Sequence, residues 1–215
     1  MKLFSYWRSL ASYRVRIALN LKGVDCDIET IDLLGGDQFE ASYRAVNPQP
    51  VVPALVDGGT VLFQSLAIVE YLDETRPEPP LLPADPRGRA RVRGIAQIAS
   101  SDTHPLIVPR IRKYLTEDLA LSDDELQAWI RRWMGAGLAA MEAHLAAGPG
   151  TGRFCHGDRP GLADLCLVPQ IVGSRMFGCP MDPYPTAMRI FEACMAVDPI
   201  ADAHPTKQPD FPADA

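Results

Sequence analysis

The sequence predicts a small α/β unit at the N-terminal end followed by an all-helical unit. Three observations carry this. Residues 1–75 alternate between strand-like and helix-like runs. Residues 76–86, RPEPPLLPADP, hold five prolines, a density that neither a helix nor a central strand tolerates, so they read as a linker. Beyond them the apolar spacing turns wholly helical. The expected boundaries are 1–76 for the α/β domain, 77–86 for the linker, 87–200 for the helical domain and 201–215 for a frayed tail.

Each element has a local reason. Lys2–Tyr6 is a short β-prone run, and Ser12 can cap a helix carrying Val15, Ala18, Leu19 and the stem of Lys22 at helical spacing. Gly23 ends that helix. Asp27–Leu33 reads as a second strand. Ala54–Val56 and Val61–Phe63 flank Asp57-Gly58-Gly59, which signals a hairpin. Ser65 can then cap a helix with Leu66, Val69 and Leu72 on one face. The order β-α-β-(α)-β-β-α resembles a thioredoxin-like domain.

In the second unit, Asp85-Pro86 reads as an N-cap followed by proline at the first helical position. Val92, Ile95, Ala96 and Ala99 continue that helix, and His104-Pro105 should bend it. Ser122 and Glu125 form a capping box ahead of Leu126, Trp129, Ile130, Trp133 and Gly137. Further helices begin near Leu162 and Pro185. The tail from Ile200 carries Pro205, Pro209 and Pro212 and has little to bury. The junction of the two units is a natural place for a ligand cleft.

Composition narrows the function. The chain has 215 residues, 47% of them hydrophobic, with a formal net charge of -6. This is a globular profile. The acidic balance argues against nucleic acid and against anionic membrane surfaces as partners. No stretch is apolar for long enough to span a bilayer, and MKLFSYWRS has no secretory pattern. The five scattered cysteines fit a reducing compartment, so a cytoplasmic location is expected. The four histidines show no metal-ligand spacing. Cys155-His156 is better read as ordinary packing than as a thiol with its base, because adjacent residues rarely point at each other.

Five segments, taken together, resemble the glutathione transferase superfamily. They are Tyr6–Leu19, Asn47–Leu55, Gln64–Leu72, Ser101–Leu106 and Gly157–Gln170. The resemblance is closest to the zeta class, the maleylacetoacetate and maleylpyruvate isomerases, and spans roughly residues 1–198. It implies a thioredoxin-like α/β N-terminal domain plus an all-α C-terminal domain, glutathione as cofactor, and a homodimer. The expected activity is glutathione-dependent cis–trans isomerisation of a maleyl-type keto acid.

The residues can be read beside that resemblance. Gln64-Ser65 sits where a hairpin meets a helix start, where free N–H groups and a hydroxyl favour an anion. The resemblance makes this the pocket for the γ-glutamyl end of glutathione, with Gln49 nearby. Val52-Pro53 opens a strand. The resemblance implies a cis bond that leaves the Val52 main chain to pair with the cysteinyl part of the tripeptide. Ser9 lies at the start of the first helix, where a dipole and a hydroxyl donor stabilise a thiolate. Ser9 matches the family's first serine in its Ser-Ser-Cys-type stretch. Arg8 beside it suits a substrate carboxylate. Asp102 and His104 match positions near the cleft and the partner subunit's glutathione. A helix cap, a strand-initiating proline, a surface arginine and a satisfied histidine are the plainer readings of the same residues.

In such an isomerase the thiolate adds to the double bond of a cis-enedioate, the resulting single bond rotates, and elimination restores the trans alkene. The enolate and the carboxylates call for positive charge. The sequence departs from the family here. Leu10 and Ala11 stand at usually polar positions, and Ile107 and Val108 replace asparagines. Met176 takes the place of an arginine, with Arg175 one position away, about a 100° turn on a helix. Gly161 replaces a Ser or Thr cap. Arg8 is therefore the main substrate-binding candidate, with Arg110 or Arg175 to supply a second cation. The apolar replacements leave open conjugation of glutathione to a more apolar electrophile. A non-catalytic glutathione-binding protein is the third alternative.

Overall fold

The computed structural model describes residues 1–212. They fall into two units: Met1–Pro80 together with the segment from Val197 onward, and Leu81–Ala196. In the first unit, strands β1 (Lys2–Ser5), β2 (Asp27–Thr30), β3 (Ala54–Asp57) and β4 (Thr60–Phe63) form a sheet of order β2-β1-β3-β4. β1 runs parallel to β2 and antiparallel to β3, and β3 to β4 is an antiparallel hairpin. The hairpin closes through Gly58 and Gly59, both at positive φ (53° and 87°), as a two-residue turn between Asp57 and Thr60 demands. A parallel β1–β2 pair needs a crossover, which helix α1 (Leu10–Leu21) supplies.

Pleating sends alternate residues to opposite faces. Phe4 and Ala54 join Tyr6, Ile31, Tyr43 and Val52 in one cluster, with Tyr43 supplied by the short helix α2 (Ala41–Val46). Leu3 and Leu55, paired across the sheet and fully buried, occupy the opposite face. Helix α3 (Ser65–Thr75) packs on α1 and buries Ile68, Val69 and Leu72. The Lys22 side chain, fully buried beyond the end of α1, donates to Asp73 Oδ1 (2.7 Å), Arg76 O (2.7 Å) and Pro79 O (2.6 Å). It thereby closes the end of α3 and fixes the chain that follows.

The second unit begins with α4 (Pro86–Gln97), capped by Asp85, whose carboxylate accepts the Gly88 N–H at 2.8 Å. The helix continues through wide π-type turns at Ile98–Thr103 into a 3₁₀ turn at His104–Leu106, the distortion expected around Pro105. Then follow α5 (Pro109–Lys113), α6 (Asp123–Ala147) with both arms of the Ser122–Glu125 capping box, α7 (Leu162–Met176) and α8 (Pro185–Met195). α7 is the central helix, buried from Leu162 to Ser174, with α4, α6 and α8 packed on it. At its start a Cβ on Gly161 would meet Leu81 O at 2.7 Å. Glycine here permits a close backbone approach, so the position has no room for the hydroxyl cap of the family pattern. The Asp164 carboxylate, fully buried, accepts the N–H groups of Gly161 (2.9 Å) and Cys155 (2.8 Å).

The chain then returns to the first unit, and the expectation of a frayed tail over 201–215 is corrected for residues 201–212, the last three positions lying outside the described residues. Val197 starts the return, and α9 (Asp198–Asp202) packs on α1, burying Ile200 and Ala203. Asn20 Nδ2 holds Pro199 O at 2.9 Å. Of the prolines that suggested disorder, Pro205 opens a 3₁₀ turn at Pro205–Lys207, and the preceding Pro199 lies in the first turn of α9.

Candidate active site

Helix α1 starts one turn earlier than its sequence suggested. Ser9, not Ser12, is the N-cap: its Oγ accepts the Ser12 N–H at 3.1 Å, and Ser12 is a buried residue of the first turn. A hydroxyl accepts and donates at once. Capping therefore leaves the Ser9 O–H able to donate to an anion at the positive end of the helix. Ser9 and Arg8 are half-buried, at the end of a loop whose Ser9 N–H donates to Tyr6 O at 3.0 Å.

A second group of residues surrounds the loop before β3 and the start of α3. Val51 O accepts from the Tyr43 hydroxyl (2.6 Å) and from Asn47 Nδ2 (2.8 Å), while Asn47 Oδ1 accepts the Gln49 N–H (3.1 Å). Burial pushes the Tyr43 phenol up to about 12, which keeps it a donor. The Val52-Pro53 bond is cis. Among the described residues the Val52 main chain forms no backbone hydrogen bond. Gln64 sits at φ 68°, sparsely populated for a residue with a Cβ, where the chain turns from β4 into α3. Its Nε2 donates to Gln49 Oε1 at 2.8 Å, so the two glutamines meet at the surface. The first helical bond of α3 is Ile68 N–H to Gln64 O at 3.0 Å, which leaves the amides of Ser65, Leu66 and Ala67 as the helix's open donors. Ser65 is the first helical residue rather than the cap. Its Oγ accepts from Arg14 Nη1 at 3.1 Å in a buried contact.

Sequence reasoning missed Arg14, Arg16 and Tyr43. The available signal was the pair of arginines among the apolar positions of α1: charges almost never enter a core unless something fixed needs them. Arg14 is buried against Ser65. Arg16 is buried on the β1–α1 loop, its Nη1 donating to Ser5 Oγ and Tyr6 O, both at 3.2 Å. Burial brings its guanidinium down to about 10.

The remaining candidates lie in the second unit. Asp102 is exposed in the π-type turns, and His104 is half-buried in the turn that follows. Arg110 is exposed on α5. Arg175 is exposed on α7, its guanidinium 4.8 Å from the Phe191 ring centre, a cation–π stack against α8. Of the apolar replacements, Leu10 and Ile107 are buried, Ala11 and Val108 are half-buried and Met176 is exposed. Cys155 is buried beside Asp164; burial, then the carboxylate, pushes its thiol well above the ordinary range, while His156 faces Arg91 at 3.3 Å. A nucleophile–base pair is thereby excluded at these two positions. Among the described residues there is no metal-binding cluster, and no helix is long and apolar enough to cross a membrane.

A mixed four-stranded sheet of this order with a following helical unit defines the glutathione transferase class, and residues 3–80 match the family model for the glutathione S-transferase N-terminal domain. The chain is 44% identical to the maleylacetoacetate isomerase of Pseudomonas aeruginosa, over 99% of this chain and 100% of that one. A solved holo structure of maleylpyruvate isomerase, a bacterial zeta-class glutathione S-transferase, superposes with a TM-score of 0.97 at 44% identity, covering 99% of this chain and 100% of that one. A maleylacetoacetate isomerase from Methylobacterium extorquens, solved with malonate and glutathione bound, gives a TM-score of 0.97 at 48% identity over 99% of this chain and 100% of its own. The chain belongs to the zeta-class glutathione S-transferases, the family of the maleylacetoacetate and maleylpyruvate isomerases.

Proposed function

We propose that the protein is a glutathione-dependent cis–trans isomerase of a maleyl-type keto acid, maleylacetoacetate or maleylpyruvate, working as a cytoplasmic homodimer. The observation that carries this is identity of 44% along the whole chain to a maleylacetoacetate isomerase, joined to a first unit whose polar groups suit the tripeptide. The fit is chemical. The open amides at the start of α3 and the Ser65 hydroxyl suit the α-carboxylate of a γ-glutamyl group. The Val52 main chain, beside a proline that donates nothing, suits an extended peptide. Gln49 and Gln64 supply further amide contacts, and Asp102 and His104 are the candidates contributed by the helical unit.

When bound, glutathione supplies a thiol able to add reversibly to an activated double bond. Ser9 holds the thiolate form by donating its O–H at the α1 N-terminus. Arg8 binds a substrate carboxylate and offsets charge that develops as the double bond is lost. Arg110 and Arg175 are the candidates for the second cation, Arg175 being stacked on the Phe191 ring.

Spectroscopic assay of maleylpyruvate and maleylacetoacetate with and without glutathione tests the reading. Turnover only with glutathione is the expected result. Conjugation of chlorodinitrobenzene without isomerisation would replace it with a transferase, and tight glutathione binding without either activity with a binding protein.

A further inference from the structure

Trp7 is held on both sides of its main chain by charged side chains from outside its loop. Its N–H donates to Asp210 Oδ2 at 2.8 Å. Its C=O accepts from Arg16 Nη2 at 3.2 Å. Its ring meets Phe211 edge-on, with centroids 5.0 Å apart. The Arg16 guanidinium also reaches Ser5 Oγ, Tyr6 O and, through Nε, Ala203 O, each at 3.2 Å. Asp210, Phe211 and Ala203 all belong to the returning C-terminal segment. The two residues after Trp7 are Arg8 and Ser9.

We propose that Asp210 is a positioning residue for Arg8 and Ser9, and that the C-terminal segment is thus part of the scaffold of the candidate active site. The inference rests on the reading of Ser9 and Arg8 given above. Residues 6–9 lie outside both β1 and α1 and have no ladder to fix them. Their main chain is fixed instead by a carboxylate on one amide and a guanidinium on two carbonyls. Hydrogen bonds with one ionised partner are roughly twice as strong as neutral ones. Asp210 also balances the charge of Arg16, whose cationic form it favours. A displacement of about 1 Å at a reacting group costs on the order of a hundredfold in rate. Partial freedom of this loop should therefore appear in turnover before it appears in binding.

The test uses the full chain with Asp210→Ala and Asp210→Asn. The Asn carbonyl still accepts the Trp7 N–H. Amide hydrogen exchange over Trp7–Ser9 is measured without ligand, and kcat and KM for maleylpyruvate and glutathione are measured beside it. Asp210→Ala should speed exchange and lower kcat by about tenfold each, with KM for glutathione changed less than about twofold. Asp210→Asn should restore most of both. A fall in melting temperature with exchange and kcat as in the wild type would make Asp210 an anchor of the tail only and overturn the proposal. So would an Asn variant as impaired as the Ala variant. A wild-type protein with no glutathione-dependent turnover would sink the reading of Ser9 instead. The exchange data alone would then decide whether Asp210 orders the loop.

Discussion

The Arg14 guanidinium and the Ser65 hydroxyl meet at 3.1 Å in a buried contact linking α1 to α3. Nη1 occupies an acceptor position on Ser65 Oγ, which leaves the Ser65 O–H to donate, alongside the open amides of α3, to an incoming carboxylate. Ser65→Ala removes that donor and should raise KM for glutathione about tenfold, with kcat at saturation changed little. Arg14→Met should produce the same shift and also lower stability by about 2–3 kcal/mol through the buried partners it leaves. A double variant no worse for glutathione than Ser65→Ala would show that Arg14 acts on binding through Ser65.

Ser9 carries two roles that one substitution cannot separate. Because its Oγ accepts the Ser12 N–H, Ser9→Ala should cost about 1 kcal/mol of stability as well as turnover. Ser9→Asp keeps a capping acceptor but places an anion where the thiolate forms. Thermal unfolding of the Asp variant should match or exceed wild type while kcat falls at least a hundredfold. An active Asp variant would reduce Ser9 to a cap.

Much of the fold was legible because its signals are local. The Asp57-Gly58-Gly59 turn, the Asp85 cap with Pro86 and the Ser122–Glu125 box each depend on neighbours in sequence, and each is present. Two caps were misplaced because Ser9 and Ser12 offer the same chemistry, and burial of one chose the other; at Gln64-Ser65 it was backbone conformation that decided. The tail was misread for a long-range reason. Its prolines argue for disorder, yet Ile200 and Ala203 find α1, and Asp210 finds Trp7, some two hundred residues away in the chain. Within the candidate site, Ser9 and Ser65 could be picked out from sequence. Arg14 and Arg16 stood out only as charges on a largely apolar helix, and their roles were not readable because their partners are hydroxyl and carbonyl oxygens that no spacing rule marks.

Lys22 shows how the α/β unit is closed. Its fully buried ammonium satisfies one carboxylate and two carbonyls, all of them from beyond position 70. Lys22→Met fits the stem but leaves the Asp73 carboxylate, mostly buried, and both carbonyls without that donor. The expected loss is about 3 kcal/mol. An unfolding free energy from denaturant titration within about 0.5 kcal/mol of wild type would show that water replaces the ammonium at no cost.

His204 should make the returning segment sensitive to acid. Its Nδ1 accepts the Thr206 N–H at 3.3 Å, which requires that nitrogen to be unprotonated. Its ring lies edge-on to Tyr13. Burial first, then the charges of Arg16 and Lys207, hold its pKa below the ordinary value of 6.5. The unfolded chain therefore binds the proton more readily than the folded one. The resulting stabilisation is complete above 6.5 and is lost as pH falls through the folded value. His204→Asn keeps a side-chain acceptor and removes the titration. Melting temperatures measured between about pH 7.5 and about pH 5.5 should therefore fall further for the wild type than for the variant. The other histidines are common to both proteins, so the difference isolates this residue. Parallel curves would show that protonation of His204 does not oppose folding.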